Sequence, residues 1–271
     1  SVFYQIFKSL KVENMNFRWN KRKCDQWWEV KFVGEGIIDQ GGGFRDSLSE
    51  ISDELCPQDV NINKTLPLII KSVNNRDHVG DNRDCFIPNP SFKDLKVFHW
   101  LGKLMGAAYR SDESLALYFP PYVWKLLVGE HVVWSKDFAG VDAMAVNMIN
   151  TIESLKEEEF DALYGDELDF STACSDGNIV SVKASGAQLS VDFETRLEYC
   201  QLVKKIRMFE FIDQIKAIRD GILTVIPQTL LELITSQELE RGVCGFNEIS
   251  ISLLKESSKF TCQKRFNAFC P

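Results

Sequence analysis

The segment FKDLKVFHWLGKLMGAAYR, residues 92–110, constrains the fold more than any other stretch of this chain. Gly102 and Gly106 stand four residues apart, hence on one helical face, where missing side chains let a second helix approach closely. In a bilayer such spacing would mark a helix dimer, but Lys96, Lys103 and Arg110 exclude a membrane span. The segment is expected to be a tightly packed interior helix. A chain of 271 residues, 45% hydrophobic and 26% charged, has enough apolar material for the core this requires. Its apolar runs, such as Leu66 to Ile70, fall far short of the roughly 20 residues that cross a bilayer. The formal charge of -8 sets a field that repels phosphate backbones, so nucleic acid is not expected as the main partner. The opening SVFYQIFKSLKVEN reads as no signal peptide, and the chain is taken as an excised or incomplete piece.

The eight cysteines (24, 56, 85, 174, 200, 244, 262 and 270) form no CxxC pair and no Cys/His cluster. No zinc site or other metal is expected, and the thiols are read as reduced, mostly buried and intracellular, with a cytoplasmic setting. The stretch GEGIIDQGGGFRDSLSE, from Gly34 to Glu50, poses the choice between a phosphate cradle and a buried bend. A dinucleotide fold wants G-x-G-x-x-G and a phosphate loop wants G-x-x-x-x-G-K-[ST]; neither is met, and Asp39 would repel the ligand. The bend is the better physics. Gly41 and Gly42 are read as serving a backbone at positive φ or beneath a close neighbour, with Asp39 and Arg45 in fixed polar contacts.

Along the chain, Trp28, Val30 and Phe32 alternate as in a half-buried strand, while Phe44, Leu48, Ile51 and Leu55 lay one stripe along a helix that stops at Pro57. Residues 57–90 read as short strands joined by turns, and Asp176-Gly177 as a hairpin turn. Val146, Ile149, Ile152 and Leu155 step by three, with the acidic run Glu157 to Glu159 beyond them as a solvated face. Val203, Ile206, Phe209, Ile212, Ile215 and Ile218 predict one long helix closed by Gly221, Pro227 opens another, and Thr235 to Glu238 is a capping box. The class is a mostly helical α+β protein, with a change of character near residue 145. His78, His99 and His131 sit in no nucleophile or triad context, and no carboxylate pair stands out, so they are read as structural.

The pattern F-x-G-E-x-x-x-D-x-G-G-x-x-R-[DE], met from Phe32 to Asp46, resembles the opening of a HECT domain, the catalytic domain of one class of ubiquitin ligases. Three more landmarks follow in family order: IPNPS at Ile87 to Ser91, FHWLGKLMGAA at Phe98 to Ala108, and QELERGVCG at Gln237 to Gly245. The resemblance implies a ubiquitin-protein transferase that needs no cofactor. Its mostly helical N-terminal lobe recruits the ubiquitin-conjugating enzyme, and a second lobe carries the thioester cysteine. Residues 27–259 would be the first lobe, with a small conjugating-enzyme-binding subdomain at about 145–205, residues 1–26 a leading extension and 260–271 a divergent tail. The family's docking groove falls on Ile149, Ile152, Leu168, Tyr199 and Val203, with Tyr199 as the anchor. Only 26 residues follow Gly245, against roughly 50 for a lobe with its own core, so the catalytic lobe is expected to be absent and Cys262 only superficially imitates its Thr-Cys context. The chain by itself is then expected to bind a conjugating enzyme without accepting ubiquitin, meeting ubiquitin indirectly and protein substrates through other regions. The alternative is a non-catalytic decoy that holds a conjugating enzyme or a partner ligase.

Overall fold

A computed structural model describes residues 1–10, 26–31, 41–58, 66–111, 113–165, 167–184 and 189–245. Asp39, Phe32, Cys24, Cys262 and Cys270 therefore lie outside the described residues. Among the described residues the chain is mostly helical, with two small antiparallel sheets and no helix long and apolar enough to cross a membrane.

Helix α1, Val2–Ser9, packs on α2, Gly42–Leu55. Phe44, Leu48, Ile51 and Leu55 of α2 are all buried, as their spacing requires, and the helix ends before Pro57. Strands β1, Ile69–Lys71, and β2, Phe86–Pro88, pair with Ile70 opposite Ile87. Between them α3, Val73–Asp77, starts on a Ser72 cap, an element the turn-rich sequence concealed. After α4, Leu95–Arg110, comes α5, Pro121–Val128, which begins on its proline and ends on Gly129 at φ 87°. A 3-10 turn at Phe138–Gly140 leads to α6, Ala143–Ser154, and α7, Glu157–Leu163. Strands β3, Ser171–Ala173, and β4, Ile179–Ser181, form a hairpin around Gly177 at φ 84°. Helices α8, Arg196–Met208, α9, Ile212–Val225, α10, Gln228–Leu231, and α11, Ser236–Cys244, complete the described fold.

The glycine face of α4 meets α9. Gly102 and Gly221 approach so closely that a Cβ built on Gly102 would sit 3.0 Å from the Gly221 Cα, and one on Gly221 would sit 2.9 Å from the Gly102 Cα. Gly106 faces Val225 in the same crossing. Gly221 is thus an interior helix residue and not the C-terminal cap that the sequence suggested. Its partner reading also needs correction: residues 196–225 form two helices, not one. A repeat of three slips about 60° per step on a helix that turns 100° per residue, so six such positions cannot share one face. The chain breaks at Phe209–Phe211, leaving Phe209 exposed while Phe211 is buried.

No strand is assigned to residues 26–31, which correct the expected alternation there. Trp27 and Trp28 bend inward instead, edge-on to Phe44 at 5.5 and 5.1 Å, and the Trp28 Nε1–H donates to Ser47 Oγ at 2.9 Å. The buried aromatic cluster holds the start of α2, and Gly41 turns the chain into it at φ 107°. Gly42, by contrast, has open space where a Cβ would stand. Arg45 forks onto Glu113 with contacts of 2.9 to 3.1 Å. The capping box forms as read: the Glu238 N–H donates to Thr235 Oγ1 at 3.2 Å and the Thr235 N–H to Glu238 Oε2 at 2.8 Å.

Candidate functional site

Helices α6 and α8 and the β3–β4 hairpin bring the expected docking residues together, but on the inside. Ile149 and Ile152 are 0% exposed and Tyr199 and Val203 are 1% exposed. The Tyr199 ring stands edge-on to Phe170 at 6.0 Å, and its hydroxyl donates to the Ser171 carbonyl at 3.2 Å. Burial raises the Tyr199 phenol to about 12. Leu168 is half-buried, and its carbonyl accepts from the Val191 N–H at 2.7 Å. Side chains with no exposed surface cannot line an open groove. The resemblance placed these residues at a docking groove; in the structure Ile149, Ile152, Tyr199 and Val203 lie on the inward faces of α6 and α8.

The outward apolar side chains of these elements are different ones. Met144 is 56% exposed and Met148 42%, one turn apart on α6, while Leu197 on α8 is 46% exposed. Leu163, Leu189 and Ile179 are also exposed. Sequence reasoning passed over them, although Met144 and Met148 run out of phase with the buried Val146–Ile149–Ile152 set, and that offset was the available signal. Ion pairs flank them: Lys204 with Glu153 at 2.6 Å and Lys183 with Glu198 at 2.8 Å. The acidic run opens α7 fully exposed, and Glu159 reaches back to the Lys156 N–H at 3.1 Å, so its charge favours the positive helix start.

Where α8 breaks, a buried polar joint forms. Arg207 Nη2 donates to Asp142 Oδ2 at 2.8 Å and Arg207 Nε donates to Glu210 Oε2 at 3.1 Å. Burial works against the Arg207 charge, but Glu210 and Asp142 outweigh it and hold its pKa above the ordinary guanidinium range.

The chemistry of the described thiols is quiet. Cys56, Cys85, Cys174, Cys200 and Cys244 are free, and burial pushes all five above the ordinary thiol range, Cys56 to about 12 and Cys200 to about 11. A thiol held protonated is a poor nucleophile. Among the described residues no group of three or more His, Cys, Asp or Glu could hold a metal ion. The cleft of about 500 Å³ between α1 and α2 is lined by Glu29, Asp46 and Glu50 with Lys31, beside Trp28 and Val30, a lining of net negative charge that disfavours phosphate. His99 is half-buried, with its pKa lowered by burial and by Lys103, while His78 caps α3 and His131 is exposed.

Against known proteins, the family described as HECT-domain (ubiquitin-transferase) matches residues 50–268. This chain belongs to the HECT family. Among its relatives, mouse E3 ubiquitin-protein ligase HERC2 is 35% identical over 238 residues, covering 86% of this chain and 5% of that protein. Mouse E3 ubiquitin-protein ligase HUWE1 is 26% identical over 241 residues, covering 85% and 5% respectively. Yeast E3 ubiquitin-protein ligase RSP5 is 27% identical over 237 residues, covering 85% and 27%. The chain thus spans about 5% of the length of the first of these relatives. The HECT match begins within α2, takes in all of α6 to α8, and reaches past Cys262.

Proposed function

We propose that this chain is the N-lobe of a HECT-type ubiquitin-protein transferase and docks a ubiquitin-conjugating enzyme on the segment from α6 to α8. The observation that carries the reading is the pairing of a fully buried framework with exposed Met144, Met148 and Leu197 on the same two helices, inside the span matched by the family. Ile149, Ile152, Tyr199 and Val203, with half-buried Leu168, fix the backbone; the outward methionines and leucine make the contact. Methionine suits this work because its flexible, polarizable side chain moulds to a partner's apolar surface. Ubiquitin is then met through the conjugating enzyme, and protein substrates through regions elsewhere in the full ligase. A reducing, cytoplasmic setting is part of the same reading.

None of the five described thiols is poised to accept ubiquitin; of the other three, Cys24, Cys262 and Cys270, it is Cys262 whose Thr-Cys context imitates the family's thioester site. The test combines a binding titration with a non-reducing gel, using activating enzyme and several charged conjugating enzymes. Saturable binding that Met148→Glu and Leu197→Glu each weaken at least about tenfold, the scale of an interface hot spot, is the expected result. Failure of every conjugating enzyme to bind the folded chain overturns the reading. A thiol-sensitive adduct that vanishes in Cys262→Ser would instead make the chain an acceptor in its own right, and its absence leaves docking as the activity.

A further inference from the structure

We infer that Arg207 and Glu210, at the break between α8 and α9, are positioning residues that hold the α6–α8 segment at one angle against α3, α5 and α9. The positioning role rests on the docking function proposed for that segment. Both side chains are interior, 4% and 1% exposed, and with their own turn they tie together three separate parts of the chain, at Asp142, Ser175 and the helix break. Arg207 Nη2 donates to Asp142 Oδ2 at 2.8 Å and to Ser175 Oγ at 3.3 Å. Asp142 is the N-cap of α6 and accepts from the Ala145 N–H at 2.8 Å. The Ser175 N–H donates to Glu210 Oε2 at 3.1 Å and its hydroxyl donates to the other Glu210 oxygen. From α3, Arg76 Nη1 donates to the Ser175 carbonyl at 3.1 Å. Tyr122 of α5 donates to the Met208 carbonyl and so pins the last turn of α8.

Apolar contacts are non-directional, and apolar packing alone would tolerate a tilt of this segment. Charge-assisted hydrogen bonds with fixed donor geometry do not. A buried ion pair is a weak source of net stability next to an apolar replacement, so what this one supplies is orientation. A second, exposed clasp acts on the same hairpin: the Ser91 hydroxyl donates to Asp176, and Asn178 Nδ2 donates to Ser91 Oγ at 2.8 Å. At the start of α6 the Ala143 N–H donates to Asn74 Oδ1 of α3 at 2.8 Å, so hairpin turn, helix start and helix break are each tied by directional bonds to the body of the domain.

The experiment measures the distance distribution between spin labels on Ala162→Cys in α7 and Gln237→Cys in α11, with Cys24, Cys262 and Cys270 changed to Ser. Glu210→Gln keeps the shape and removes the charge; Asp176→Ala opens the exposed clasp without touching the interior. Both are expected to melt cooperatively, to broaden the distribution at least about twofold, and to speed amide exchange at Ser175 and Ala145 about tenfold while α4 and α9 keep their rates. Binding of the conjugating enzyme should stay within about threefold, because the contact side chains are intact. Unchanged distributions in both variants overturn the inference. So does a Glu210→Gln chain that loses cooperative melting beside an Asp176→Ala chain of unchanged width, since Glu210 would then be core alone. A wild-type chain that binds no conjugating enzyme removes the docking role and with it the positioning role, while the distances still decide whether the joint exists.

Discussion

Replacing Gly102 by alanine tests the α4–α9 crossing at its closest point. The added Cβ would lie 2.8 Å from the Ile218 carbonyl carbon and 3.0 Å from the Gly221 Cα, and closer still to the Ile218 carbonyl oxygen. All three neighbours are backbone, so no side chain can rotate away. To restore ordinary contact the helices must part by roughly 1.5 Å, and a gap of only about 0.5 to 1 Å already forfeits a quarter to a half of the dispersion well of every atom pair it opens. The helices carry Phe98, Leu101, Leu104 and Met105 on one side and Ile215, Ile218, Ile222 and Val225 on the other, all buried. Alanine's higher helix propensity returns about 1 kcal/mol. Overpacking on this scale should outweigh that, for a net loss of about 3 to 4 kcal/mol. Urea unfolding followed by tryptophan fluorescence reads the loss as a lower midpoint at unchanged slope. Two companions calibrate it. Gly106→Ala meets the Val225 Cβ at 2.8 Å and the Ile222 carbonyl oxygen at 3.2 Å, a milder overlap than at Gly102, and should lose about half as much. Gly42→Ala enters open space at the start of α2 and should be neutral or gain up to about 1 kcal/mol. A Gly102→Ala chain with an unshifted midpoint would refute the close-crossing argument.

Tyr199→Phe should lose about 1 kcal/mol for the hydrogen bond to Ser171, and Tyr199→Ala about 3 to 5 kcal/mol for the vacated interior; if Tyr199→Phe changes binding of a conjugating enzyme more than stability, the framework role is wrong. Thr235→Ala removes the hydroxyl of the α11 capping box and should lower stability by about 1 kcal/mol in the same urea assay. Burial works against the Asp137 charge, but the Lys125 ammonium at 2.8 Å and the Val133 N–H at 2.7 Å hold its carboxyl below the ordinary range. Its stabilisation is therefore full above the unfolded carboxylate value of about 3.9 and lost as pH falls through the lower folded value. Melting curves of Asp137→Asn and wild type should differ at pH 7 and converge in acid, and a gap that stays constant with pH would contradict this. The five described thiols should react with a maleimide probe at neutral pH only after denaturation, in a chain whose Cys24, Cys262 and Cys270 are Ser; rapid labelling of the native form would contradict their raised pKa values.

Much of the fold was legible because it is set by neighbours in sequence. The Phe44–Leu55 stripe, the Asp176-Gly177 turn and the Thr235–Glu238 box each need only local spacing and backbone chemistry, and each stands in the structure where the spacing put it. Gly102 and Gly106 announced a close helix partner, but the partner was hidden: Gly221 looked like a helix end, because a lone glycine reads alike as a cap and as a contact. Periodicity of three passed over the break at Phe209, and the resemblance placed Ile149 and Tyr199 at a contact surface, whereas both side chains face the interior in the structure. The buried joint left no sequence signal, since Arg76, Asp142, Ser175, Arg207 and Glu210 come from separate stretches and only folding lowers the dielectric that makes their bonds matter. By itself the sequence determined the helical class, the Thr235–Glu238 cap and the resemblance carried by four short motifs, each of which is legible within a few consecutive positions. Only the tertiary structure decided which apolar residues are buried and which charges meet, because burial belongs to a pair of surfaces and not to a residue.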